Sequence, residues 1–160
     1  MIDSVLRNWQ TNNNINRYLV DQITPEGSGL AAVDRGRTVE QILLHMADVR
    51  RKWLAPIAPE LLKTSAPTNA TNAMEKIQVE LQTTAAAIEA FIKKLGNSEA
   101  KVPGFKADLS AFVCYLMTHD AHHRGQVVLT LRLGGQRLDS KAAYGLWDWA
   151  GRSVAKIQRA

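Results

Sequence analysis

The sequence is poor in cysteine, in aromatic residues and in long apolar stretches. Cys114 is the only cysteine among 160 residues, which excludes an intrachain disulfide framework and a cysteine-built metal cluster. A reducing, cytoplasmic setting is expected. No apolar run approaches the roughly 20 residues that a membrane-spanning helix needs, so no membrane association is expected. The opening MIDSVLRNWQ carries an early Asp3 and no continuous apolar core, and it does not read as a signal peptide. Strand signals are almost lacking as well. Without strands there is no edge on which an extended peptide could pair, which disfavours a zinc protease.

What is present is ordinary for a globular chain: 46% hydrophobic and 22% charged residues. The length suits one domain spanning residues 1–160, with enough chain to bury a core. A net charge of +5 and a pI near 9.6 leave nucleic acid open as a partner. Yet the basic residues are scattered, and the densest run, Arg50-Arg51-Lys52, reads as a solvated helix face. Nucleic acid is therefore not the expected partner.

Helix signals recur along the chain. Ile2, Val5, Leu6, Trp9, Leu19 and Ile23 follow mostly three- and four-residue spacings, although the TNNNIN stretch between them has low helix propensity. The run from Thr24 to Gly29 then reads as a stop. Thr38 and Gln41 form a capping box ahead of Ile42, Leu43, Met46, Val49 and Trp53, with Pro56 as terminator. A third stripe opens at Asn72, with Glu75 three residues on. It runs through Met74, Ile77, Leu81, Ala85, Ile88, Ile92 and Leu95 to Gly96-Asn97. A fourth runs from Asp108, an expected N-cap, to Leu133, where Gly134-Gly135 stops it. A short fifth helix from Ser140 is expected to carry Trp147 and Trp149. Four long amphipathic helices make an all-α, four-helix bundle the economical fold, and the long connections allow a crossover along its length.

The fourth helix contains three of the four histidines. At about 100 degrees per residue, His119 and His123 are offset by only about 40 degrees and stack one turn apart. Gln126 and Thr130 extend their stripe forwards, and Tyr115 and Phe112 extend it backwards. His122 points about 60 degrees aside from His119. Two imidazoles one turn apart form a two-ligand clip for a transition ion such as Zn2+ or Ni2+. His45, at the edge of the second helix's apolar arc, can complete it from a neighbouring helix. The competing reading is three hydrogen-bonded histidines in or near a core. Asp120 follows His119 as the acid follows the first histidine of H-E-x-x-H, and is a candidate base; Asp48 is a weaker one. Gly125 costs the helix about 1 kcal/mol relative to alanine, and close helix approach under Trp147 is the expected compensation.

The pieces LLHMADVRRKWL (Leu43–Leu54), HDAHHRGQV (His119–Val127) and YGLWDW (Tyr144–Trp149), in this order and at this length, resemble the DinB/YfiT-like family. The resemblance covers essentially the whole chain. It implies a bundle of up-down-down-up order with a short extra C-terminal helix, commonly a homodimer. The implied ligand set, carried over position by position, is His45, His119 and His123. The thiol-dependent transferases and isomerases of this family imply a low-molecular-weight thiol as cosubstrate. Gln126 is then a further catalytic candidate, with His122, Arg124 and Tyr115 as candidates for substrate contact. Two alternatives stand beside this: a non-catalytic, stress-related binding protein with a structural metal, and a metal-dependent hydrolase using Asp120.

Overall fold

A computed structural model of the chain describes residues 2–62, 72–95, 102–105 and 108–153. Among the described residues six helices follow one another: α1 (Ile2–Asp21), α2 (Pro25–Ser28), α3 (Val39–Leu54), α4 (Ala73–Leu95), α5 (Leu109–Leu133) and α6 (Ser140–Gly145), with a 3-10 turn at Pro59–Leu62. Among the described residues the only β-type pairing is an isolated bridge between Ala31 and Thr38.

The helix ends follow from local chemistry. The Thr38 hydroxyl accepts from Gln41 N at 3.2 Å while the Gln41 side chain accepts from Thr38 N at 3.0 Å, which is the capping box in full. Asp108 caps α5 through Ala111 N at 3.0 Å, and Asp139 caps α6 through Ala142 N at 2.7 Å. At the far end of α5, Gly135 takes φ +78, and Gln136 N returns to Leu131 O at 2.8 Å. This is a Schellman stop, for which glycine is suited. Gly134 serves a different purpose, because a Cβ there would lie 2.5 Å from Leu30 Cδ1. The expected stop at Gly96-Asn97 lies outside the described residues.

The directions of the four long helices can be read from their cross-contacts. Trp9 Nε1 donates to Ala85 O at 3.1 Å near the start of α1, whereas Asp21 at its end accepts from Gln78; α1 and α4 are antiparallel. Arg51 of α3 pairs with Glu80, and Glu60 beyond its end pairs with Lys94; α3 and α4 are parallel. His45 lies beside His119 and His123 while Trp53 meets Phe112; α3 and α5 are antiparallel. Thr24 reaches Gln136 where α1 and α5 both end, so these two are parallel. The order is therefore up-down-down-up, as the resemblance implies. Helices α1 and α3 each pack against α4 and α5 and face each other diagonally.

Apolar packing falls into two clusters. One gathers Trp9, Leu54, Ile88, Phe91, Ile92, Phe112 and Leu116; the other gathers Leu19, Leu43, Met46, Ile77, Leu81, Val127 and Leu131. Between them every long helix contributes polar groups to one buried layer: Asn12 and Asn16 from α1, Arg50 from α3, Thr84 from α4 and Asp120 from α5. Asp120 Oδ2 accepts from Arg50 Nη2 at 2.7 Å, Asn12 Nδ2 at 2.7 Å and Asn16 Nδ2 at 2.8 Å. Arg50 Nη1 donates to Leu81 O at 3.0 Å, and its guanidinium lies 4.9 Å from the Trp9 ring centroid.

Several sequence expectations need correction. TNNNIN is not among them: the helix expected through it is continuous in α1, because its side chains find partners that offset their low propensity. Besides the buried pair, Asn13 donates to Trp9 O at 2.8 Å and Asn14 to Arg152 O at 2.9 Å. Thr24 does not simply stop α1; its hydroxyl accepts from Gly27 N at 3.0 Å and caps α2. Arg50 is not solvated but 1% exposed. Trp147 and Trp149 follow α6 instead of belonging to it, and Trp147 is 85% exposed. No atom comes within 4 Å of a Cβ built on Gly125, so close helix approach does not explain that glycine.

The layer makes a contrast of variants informative. Asp120→Ala strands Arg50 without its carboxylate and should cost about 3–5 kcal/mol of unfolding free energy in urea titrations. Thr38→Ala removes one exposed cap and should cost only about 1 kcal/mol.

Candidate metal centre

Three of the four histidines meet at mid-height on the bundle. His45 projects from α3, one turn after Ile42, and His119 and His123 project from adjacent turns of α5. Ring centroids lie 5.4 Å apart for His45 and His119, 4.9 Å for His45 and His123, and 4.4 Å for His119 and His123. One nitrogen from each ring can be chosen so that all three lie within 4.8 Å of one another. The apolar arc of α3 fixes His45, since Ile42 and Met46 beside it are buried. His123 is fixed by being 5% exposed.

The hydrogen bonding selects tautomers. His123 Nδ1 lies 2.7 Å from Gln126 Oε1, an acceptor, so Nδ1 carries the proton and Nε2 keeps its lone pair. That Nε2 lies 3.1 Å from His119 Nε2. The nitrogens of two imidazoles on one tetrahedral ion, each at 2.0–2.1 Å, would be about 3.3 Å apart. The donor set therefore fits a divalent ion, and Gln126 orients the His123 ring that would be one of its ligands.

The charge state agrees with this use. Burial, followed by the charge of His123, pulls His119 down from 6.5 to about 4. Burial likewise lowers His123, against the opposing hydrogen bond to Gln126, and it lowers His45 together with the positive charge of Arg37. Neutral imidazoles are the ligand form.

The other candidates divide between the two flanks of α5. His122 is exposed, with its ring 5.0 Å from that of His123. Tyr115 is 40% exposed with its ring 6.4 Å from that of His119. Both stand at the margin of the cluster. Asp120 is 1% exposed, with one oxygen occupied by three donors. Arg124 Nη1 donates to Asn12 Oδ1 at 2.8 Å and Asn16 Oδ1 at 2.6 Å, so it joins the same layer. Asp48 pairs with Arg51 at 3.3 Å on the exposed side of α3. Sequence reasoning overlooked Asn12, Asn16 and Arg50 as the partners of Asp120. Signals existed: Asn12 and Asn16 share a helix face, and Arg50 continues the series Leu43, Ala47 and Leu54.

The depressed histidines give a signed pH dependence. With metal chelated, the unfolded chain takes up protons below about pH 6.5 while His119 resists them down to about pH 4. Stability should decrease as pH is lowered through that window, with a steeper slope than in His119→Gln. Urea midpoints of the two chelator-treated proteins measure the difference.

Comparisons with known proteins give one result at family level. Neither the curated proteins nor the solved structures include a match to this chain. The model of the DinB family matches residues 1–152. That span includes all six helices, the buried polar layer and the three converging histidines, which together fit a metal-binding protein of this kind. The chain belongs to the DinB family.

Proposed function

We propose that this chain is a metal-dependent enzyme that activates a low-molecular-weight thiol and transfers its sulfur to an electrophilic carbon. The observation that carries the reading is the convergence of His45, His119 and His123 within 4.8 Å. These three would hold Zn2+ or Ni2+, both of which accept imidazole. A divalent ion on three neutral ligands keeps its full charge and would lower the pKa of a bound thiol or water.

The chain's own residues set up the rest. Gln126 holds His123 in the tautomer that offers Nε2 to the ion. His45 and His119 are half-buried, which leaves the cluster approachable from solvent, as a working site requires and a closed structural site does not. Tyr115 and His122 flank that approach and are positioned to contact a substrate. Arg124 faces the asparagines and serves the layer. Thiol activation is favoured over hydrolysis because hydrolysis gains from a free carboxylate to move protons, whereas Asp120 is occupied by three donors. In the transfer, the thiol proton leaves to solvent, sulfur supplies the pair for the new S–C bond, and the leaving group departs with the displaced pair. No described helix is long and apolar enough to cross a membrane. A cytoplasmic homodimer is the setting that the single cysteine and the family resemblance support.

Two measurements test this. Untagged protein should contain close to one divalent transition ion per chain by elemental analysis, and His119→Ala should lose most of it. Metal-loaded protein should accelerate conjugation of small cellular thiols to monochlorobimane, and chelation should abolish the acceleration. Metal without any thiol conjugation, together with a large drop in melting temperature on chelation, would assign the ion a structural role and refute the transferase reading.

A further inference from the structure

Helix α5 has a second functional-looking face. A groove of about 620 Å³ runs between α5, α1 and the segment after α6, with Ile15, Val128, Leu129, Leu146, Trp147 and Trp149 among its walls. A smaller cavity of about 280 Å³ shares Val128, Arg132 and Ala143 with it and adds Arg137 and Leu138. On the helical wheel the α5 residues lining the groove centre about 190 degrees from the mean direction of His119 and His123. The groove therefore lies on the opposite side of α5 from the metal centre.

Three observations together indicate what would occupy it. First, the walls are apolar and aromatic while the polar groups are cationic: Arg124 and Arg132 line the groove and Arg137 lines its extension, and neither lining includes an aspartate or glutamate. Second, the polar layer includes two guanidiniums, the buried Arg50 and the half-buried Arg124, against the single carboxylate of Asp120. Asp120 is hydrogen-bonded to Arg50, whereas Arg124 is bonded to neutral amide oxygens. Among the described residues no carboxylate lies within ion-pair distance of Arg124, Arg132 or Arg137. Third, Gly125 lines the groove with no atom within 4 Å of where its Cβ would be. A mid-helix glycine that costs about 1 kcal/mol, with no packing reason, leaves room for something else.

We infer that this groove binds an amphipathic aromatic monoanion, a carboxylate or sulfonate on a flat apolar body. The body would lie over Gly125 against Trp147 and Trp149, with the anion towards the arginines. The volume is in the range of pockets that take small organic ligands, and stacking on tryptophan favours a planar body over a chain. A second copy of this chain is a poorer fit, because this face, with arginines and no acidic group in its lining, offers itself no opposite charge. The inference does not depend on the metal centre, so the two can fail separately.

The test compares 1-naphthoate with its neutral analogue 1-naphthalenemethanol, by calorimetry and tryptophan emission on the full-length, metal-loaded protein. Naphthoate should bind and quench emission, with at least tenfold preference over the alcohol. Gly125→Leu, which fills the groove while improving helix propensity, should weaken naphthoate at least tenfold and leave metal content unchanged. The double variant Arg132→Gln with Arg137→Gln should reduce the anion preference severalfold without lowering the melting temperature. Equal binding of the two probes, no binding, or indifference to Gly125→Leu would overturn the inference. So would a dimer that Leu129→Glu dissociates in light scattering, which would give this face to a second copy.

Discussion

The ion pair between Arg50 and Asp120 is the interaction on which the rest of the bundle depends. Both side chains are 1% exposed and meet at 2.7 Å. A charge taken this far from water is tolerable only when its partner and its hydrogen bonds are all in place. Apolar clusters above and below can slide or rotate with modest loss, because one leucine substitutes for another as a neighbour. A carboxylate that requires a guanidinium from α3 and two amides from α1 cannot. The layer thus sets axial register for these helices, while Arg50 ties in α4 through Leu81 O.

Register is what the histidines need. Asp120 is adjacent to His119, and Arg50 lies five residues beyond His45 on α3. Holding Arg50 to Asp120 therefore holds the two helices at the height where the three rings meet. Gln126 then orients one ring from within α5. The polar layer and the candidate centre work as a pair: the first fixes the backbone, and the second uses the positions so fixed.

Much of this was legible in the sequence where the signal is local. Caps at Thr38, Asp108 and Asn72 mark helix starts because their hydrogen bonds reach only three residues. The His119/His123 clip follows from helix periodicity alone, and His45 was selected by its place at the edge of an apolar arc. The layer was harder to see. Asn12 and Asn16 look like helix breakers when read by propensity, and Arg50 looks like part of a solvated basic run. Their meaning appears only once α1, α3 and α5 are brought together. Gly125 misled for the opposite reason, since a glycine suggests close packing and the space beside it is open. Trp147 and Trp149, expected on the last helix, lie beyond it because α6 ends at Gly145 with Leu146 as its cap.

The separation of the layer's partners along the chain bears on how the bundle is assembled. Asp120 waits for donors 70, 104 and 108 residues earlier, and the parallel α1–α5 pairing joins the first long helix to the last. Local helices can appear quickly, but these distant closures are entropically slow. During synthesis Arg50, Asn12 and Asn16 precede their carboxylate, and stay without it until Asp120 has been added. The layer's hydrogen bonds therefore close only when α5 docks on α1 and α3.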